Sequence, residues 1–167
     1  VSGSVTPHQV VVMGVSGCGK STIGALIAAE LGVPFVDGDA LHPLANVRKM
    51  AAGFPLDDTD RWPWLAAVGE TLSAADVVVA CSALRRRYRD AILAAAPNAV
   101  FVHLDGTEAV LAERMQGRSD HFMPASLLAS QLATLEALDP DEPGFAIDID
   151  APVPVLVAAA VGSLAVR

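Results

Sequence analysis

The sequence predicts an α/β fold: a doubly wound, five-stranded parallel sheet with helices on both faces, built around a phosphate-binding loop. Three observations carry this. Short apolar runs alternate with helix-patterned segments along the chain. The first apolar run leads straight into "MGVSGCGKST" (13–22), which fits G-x-x-x-x-G-K-[ST] through Gly14, Gly19, Lys20 and Ser21. The unusual residues gather at the carboxyl ends of the apolar runs, where sheets of this kind bind ligands: Gly14, Asp37 and Asp39, Cys81 and Ser82, and Asp105.

Each element follows from its local pattern. "QVVVMG" (9–14) is a continuous apolar run closed by glycine, as a buried parallel strand should be. "STIGALIAAELG" (21–32) has apolar residues at helical spacing and stops at Gly32. "VPFVDGD" (33–39) reads as a second strand ending in carboxylates. "TDRWPWLAAVGETLSAA" (59–75) reads as a helix capped by Thr59, with Pro63 in its first turn. "DVVVACS" (76–82) is a third strand and "ALRRRYRDAILAAA" (83–96) the helix after it. "NAVFVHLDG" (98–106) is a fourth strand, with "TEAVLAERMQG" (107–117) and "PASLLASQLATLEAL" (124–138) as helices behind it. "GFAIDID" (144–150) is a fifth strand, and 153–165 a last helix.

A chain of 167 residues is long enough for one domain with a real core. Residues 1–8 are expected as a disordered leader and 9–167 as a single domain. The apolar stretch 151–166 has 16 residues, two of them proline, whereas a spanning helix needs about 20. It is therefore expected to be a buried helix, not a membrane span. No secretory signal pattern is visible, and two cysteines, Cys18 and Cys81, are too few for a disulfide framework. A cytoplasmic, reducing setting is expected, with both thiols filling tight places.

The net charge of −8 argues against nucleic acid as a partner. The eleven cations are nevertheless clustered, and none lies between 119 and 166. Such clustering suggests a local anion site on a repelling surface, with helix-surface charge as the plainer alternative.

The loop residues Gly14, Val15, Ser16, Gly17, Cys18, Gly19, Lys20, Ser21 and Thr22 are the expected nucleotide site. Glycines let backbone N–H groups converge on phosphate oxygens at the positive end of the next helix. Lys20 would reach the β- and γ-phosphates of ATP, and Ser21 would hold Mg²⁺. The third strand ends without the metal-binding acid of a hydrolytic motor, and no N-K-x-D motif exists, so motors and GTP switches are excluded. Asp37 and Asp39 flank a glycine at a strand end. One would orient hydrated Mg²⁺ and the other accept a proton from a substrate hydroxyl; an ordinary cap is the alternative. Three segments bring cations toward the mouth: "NVRKM" (46–50), Pro55 and Leu56 with "DDTDRWPWL" (57–65), and "SALRRRYRD" (82–90). Arginine forks such as Arg61 and Arg85 suit an anionic acceptor. Trp62 and Trp64 suit helix anchoring better than substrate stacking. "ERMQGRSDHFMP" (113–124) has the composition of a lid, about 114–124, closing on phosphates.

Together "GVSGCGKST", "DGDALHP", "NVRKM", "DDTDRWPWL" with the Pro55 and Leu56 before it, "CSALRRRYRD", "HFMPASLLASQLATLE" and "DID" resemble the thermoresistant-type gluconate kinases. The match holds in order and spacing from about residue 10 to 150. The resemblance implies ATP-dependent phosphorylation of D-gluconate to 6-phosphogluconate, on a fold similar to shikimate and nucleoside monophosphate kinases, commonly as a homodimer. It assigns Asp39 as base or hydroxyl orienter alongside Lys20, and Asp37 with Ser21 as the metal side. It makes His42, Lys49, Arg61, Arg85 and His121 substrate contacts, and Arg114 and Arg118 adenine and phosphate contacts. Arg85 stands where that family often has lysine, and Cys18 where serine is usual. A kinase for another small anion such as shikimate, or a nucleotide-binding module without catalysis, are the alternatives.

Overall fold

The computed structural model describes residues 8–116 and 125–166. The expected leader, apart from His8, lies outside the described residues, as do most of the expected lid, Arg118 and His121. The elements run β1 (Gln9–Met13), α1 (Lys20–Leu31), β2 (Phe35–Asp37), a 3-10 turn (Gly38–Leu41), α2 (Leu44–Ala51), α3 (Asp58–Ala74), β3 (Val77–Ala80), α4 (Arg86–Ala95), β4 (Val100–Asp105), α5 (Glu108–Gln116), α6 (Ala125–Thr134), β5 (Gly144–Asp148) and α7 (Val153–Ala165).

The five strands form one sheet in the order β2-β3-β1-β4-β5, with every pair parallel. Both faces are covered, which is why the strands read as continuous apolar runs. Val10 and Val12 face a cluster with Ile23, Ile27, Leu128 and Leu156. Val11 and Met13 face the other, with Leu65, Leu72, Ile92 and Phe101. Each such side chain contributes about 1.5–3 kcal/mol by leaving water. The last helix is buried through Leu156, Val157, Ala160 and Leu164, as expected. Among the described residues no helix is long and apolar enough to cross a membrane. Because β1 is central, its carboxyl end releases the phosphate loop between β3 and β4, in the crevice where ligands of such sheets bind.

Several local expectations change. The cap of α3 is Asp57, not Thr59. Its carboxylate accepts from the Asp60 N–H at 2.8 Å, while the Asp60 carboxylate accepts from the Asp57 N–H at 2.9 Å. An ionised cap at the positive helix end is favoured over a hydroxyl two residues on. Pro63 is the sixth residue of α3, in its second turn, so one internal helical bond is missing there. Helix α4 starts at Arg86, because Ala83 adopts φ +45° and ends any helical run before it. Helix α6 ends at Thr134, since the Glu136 N–H bonds the Leu84 carbonyl at 2.7 Å instead of a helical one. The short α2, carrying "NVRKM", was not expected as a helix.

Candidate nucleotide and substrate site

The phosphate loop takes its shape from Gly14, Gly17 and Gly19, at φ +148°, +86° and +94°. A Cβ on Gly14 would lie 2.8 Å from Cys18 Sγ and 2.9 Å from the Leu104 carbonyl oxygen. The Gly14 N–H donates to the Ser82 carbonyl at 3.3 Å, tying the loop to the segment after β3. Gly19 is the residue before α1 and offers no side-chain cap, so the first N–H groups of that helix remain for an anion. Lys20 Nζ donates to the Val15 carbonyl at 3.2 Å, folding the ammonium back over the loop.

Across from the loop, Asp37 has two tasks at once. Its Oδ2 accepts from the Ser21 hydroxyl at 3.2 Å, and its Oδ1 accepts from the Asp39 N–H at 3.0 Å. The bond from the Asp39 N–H makes Asp37 the cap of the turn, and its other oxygen is turned to Ser21. The hard oxygens of Ser21 and Asp37 fit Mg²⁺, which binds few protein ligands and keeps water and phosphate for the rest. No group of three or more His, Cys, Asp or Glu able to hold a metal exists among the described residues.

The 3-10 turn presenting Asp39 is held tightly. The Trp64 indole Nε1 donates to the Gly38 carbonyl at 2.8 Å, so Trp64 is the anchor its type suggested. A Cβ on Gly38 would lie 2.3 Å from the Ala80 carbonyl oxygen, a backbone atom that cannot swing aside. Gly38→Ala should therefore displace Asp39 and lower turnover about 100-fold while the phosphate loop still binds nucleotide. Kinetics alongside calorimetry with an ATP analogue check this; parent-like turnover would show that the turn tolerates displacement.

His42 stacks on Trp64 at 4.2 Å and 16° between planes, and its Nδ1 pairs with Asn46 Nδ2 at 3.2 Å. Burial holds the His42 imidazole below its ordinary value; the Asp39 carboxylate pulls it up and the Arg61 guanidinium pushes it down. Asp39 and Arg61 are thus both within electrostatic reach of His42. Asn46 Nδ2 also donates to the Asp60 carbonyl at 2.8 Å, and Lys49 Nζ reaches the Asp60 carboxylate at 2.6 Å. Arg61 lies 3.2 Å from the Tyr88 hydroxyl and 3.5 Å from Asp58, while the Tyr88 hydroxyl donates to Asp58 at 2.6 Å. Burial raises the Tyr88 phenol, and the bond to Asp58 raises it further, so it stays a donor.

The remaining cations divide. Arg85 pairs with Glu136 at 3.4 Å in the segment after α6. Arg86 is taken up by Asp139 and Asp141 at 2.9 and 2.7 Å. Arg89 does not stand at the mouth at all: it is fully buried on Glu142, at 2.6 Å from Nε. Arg114 Nη2 donates to the Ile149 carbonyl and, at 3.2 Å, to that of Ala151, holding the turn between β5 and α7. Burial pushes the Cys81 thiol up to about 12, so it stays protonated and acts as filler, not nucleophile. Passed over in the sequence were the supporting residues Asn46, Asp58, Asp60, Tyr88 and Gln131. Their signal was weak: Asp58, Asp60 and Tyr88 stand within charged runs, and Asn46 and Gln131 are lone amides.

Sheet order, phosphate loop and facing carboxylates define a phosphate-loop kinase, and a family profile for shikimate kinase matches residues 16–137. The chain is 51% identical over 142 residues to a gluconokinase of Gluconobacter oxydans (strain 621H), covering 82% of this chain and 80% of that one. It is 39% identical over 160 residues to the thermoresistant gluconokinase of Escherichia coli (strain K12), covering 92% and 91%. A crystal structure of a gluconokinase from Sinorhizobium meliloti 1021 matches with a TM-score of 0.88 at 53% identity, over 96% of this chain and 93% of that one. The chain belongs to the gluconokinase family.

Proposed function

We propose that the chain transfers the γ-phosphoryl group of ATP to D-gluconate, giving 6-phospho-D-gluconate and ADP. The observation that carries this is Asp39 on a turn held by Asp37, whose other oxygen reaches Ser21 of the phosphate loop, with Asp39 and Arg61 both within electrostatic reach of His42. Lys20 and the loop amides hold the β- and γ-phosphates, and the α1 N-terminus adds its positive end. Ser21 and Asp37 would hold Mg²⁺, which would supply charge neutralisation at the phosphates. Asp39 accepts the proton of the attacking hydroxyl as the new O–P bond forms and the bond to ADP breaks. Arg61, Arg85, Lys49 and His42, with His121, bind the sugar acid. Tyr88 and Asp58 orient Arg61 for that task. Arg114 and Arg118 serve the adenine and phosphate side of a lid at about 114–124. The protein acts as one kinase unit, residues 9–167, in the cytoplasm and as a homodimer.

A panel of acceptors with ADP detection tests the reading. Gluconate should be turned over and glucose at least about 100-fold less efficiently, because a neutral analogue offers no carboxylate for the arginine forks to bind. Comparable turnover of the two would show that the carboxylate is not what those cations recognise. Preference for shikimate or another aldonate would reassign the acceptor, and no ADP with any acid would leave a nucleotide-binding module.

A further inference from the structure

Helix α6 directs Leu128 and Leu132 into the core cluster that also contains Val15 and Cys18 of the phosphate loop. Gln131 lies three residues from Leu128 and beside Leu132, on the same side of the helix. A part-buried amide there needs partners. Both its ends go to one residue, 115 positions earlier in the chain. The Ser16 N–H donates to Gln131 Oε1 at 2.6 Å, and Gln131 Nε2 donates to Ser16 Oγ at 3.0 Å. With its oxygen already accepting from Gln131, the Ser16 hydroxyl keeps its own proton to donate elsewhere.

Ser16 stands among three glycines whose backbone freedom makes a fixed loop entropically costly. We propose that Gln131 is a positioning residue for the phosphate loop: it holds Ser16 in the phosphate-receiving conformation and orients its hydroxyl as a donor to the terminal phosphate of ATP. This rests on the kinase reading above. Without the clamp, the nucleotide itself must order the loop, so the loss falls on ATP and not on the sugar acid.

The test uses Gln131→Leu, which continues the apolar stripe and so favours folding, and Gln131→Glu, which keeps an acceptor for the Ser16 N–H but adds negative charge. In Gln131→Leu the KM for ATP should rise about tenfold, with the KM for gluconate within about twofold of the parent. Hydrogen exchange across 13–22 should speed up in the nucleotide-free protein, with the thermal midpoint near the parent's. Gln131→Glu should keep parent-like exchange in the free protein yet bind ATP more weakly, since a carboxylate repels phosphate and takes the Ser16 proton. Unchanged ATP KM and loop exchange in Gln131→Leu would overturn the proposal. So would equal rises in both KM values with a lowered midpoint, which is the mark of lost packing alone. If the parent itself failed to phosphorylate gluconate, the functional reading would fall, while ATP-analogue binding and loop exchange would still decide the clamp.

Discussion

Asp39→Asn is expected to lower turnover of gluconate by about 10²- to 10⁴-fold, the range for loss of a general base. The substitution keeps the side chain's size and hydrogen-bonding reach but removes its capacity to take up the hydroxyl proton. The turn should hold its place, because its anchors are the Asp39 N–H on Asp37 and the Trp64 indole on Gly38, neither of which involves the Asp39 carboxylate. ATP-analogue affinity measured by calorimetry should therefore stay near that of the parent. Asp37→Asn makes the contrast. Its oxygens contact Ser21 and the Asp39 N–H, so it should raise the Mg²⁺ needed for half-maximal rate more than it raises the KM for gluconate. If Asp39→Asn kept near-normal turnover while Asp37→Asn abolished it at saturating Mg²⁺, the two carboxylates would have exchanged roles.

The strands and the phosphate loop were legible because a strand covered on both faces must be apolar at every position, and the loop motif follows one directly. Helix α2 was not legible. Leu44, Val47 and Met50 are exposed while Asn46 is buried, so no apolar stripe marks a core-facing side. What fixes it is polar: Asn46 bridges His42, four residues before it, and the Asp60 carbonyl in the first turn of α3. Within the run 85–89, Arg86 and Arg89 were misread for a related reason. Successive helical positions point about 100° apart. Arg86 therefore turns to Asp139 and Asp141, Arg87 to Asp58, and Arg89 inward to Glu142. Adjacency in sequence looked like one cationic patch; the helix fans it into three destinations. The pairing of Asp37 and Asp39 across a glycine was legible as a candidate, but the division of Asp37 between Ser21 and the turn became visible only once α1 and β2 stood side by side.

Replacing Arg89 with methionine should have the largest effect on stability. The side chains of Arg89 and Glu142 are 0% and 1% exposed and joined by two parallel bonds, Nε to Oε1 at 2.6 Å and Nη2 to Oε2 at 2.9 Å. Arg89 Nη1 also donates to the carbonyl of Ala83 at 2.9 Å, the residue held at φ +45°. Removing the guanidinium strands a buried carboxylate and a carbonyl in a loop already under strain. Breaking one side of such a pair costs about 3–5 kcal/mol. For a chain of this size that lowers the thermal midpoint by about 6–20 °C. Arg89→Met with Glu142→Leu should recover most of the loss, because no charge then remains buried. The pH dependence gives a second check. Burial alone would raise the Glu142 carboxyl, but the bonds from Arg89 and the Asp139 N–H, with the charges of Arg89 and Arg86, hold it below its ordinary value of 4.5. Its contribution is thus fully present above that value and is lost as pH falls through the lower folded one. In Arg89→Met, Glu142 keeps the burial and loses the main opposing bond, so protonation begins at higher pH and relieves the stranded charge. The stability gap between parent and variant should consequently narrow as pH falls from 7 toward 4. A gap of under about 1 kcal/mol at pH 7, or one that is flat over that range, would mean that the pair is not what holds the Ala83 loop in place.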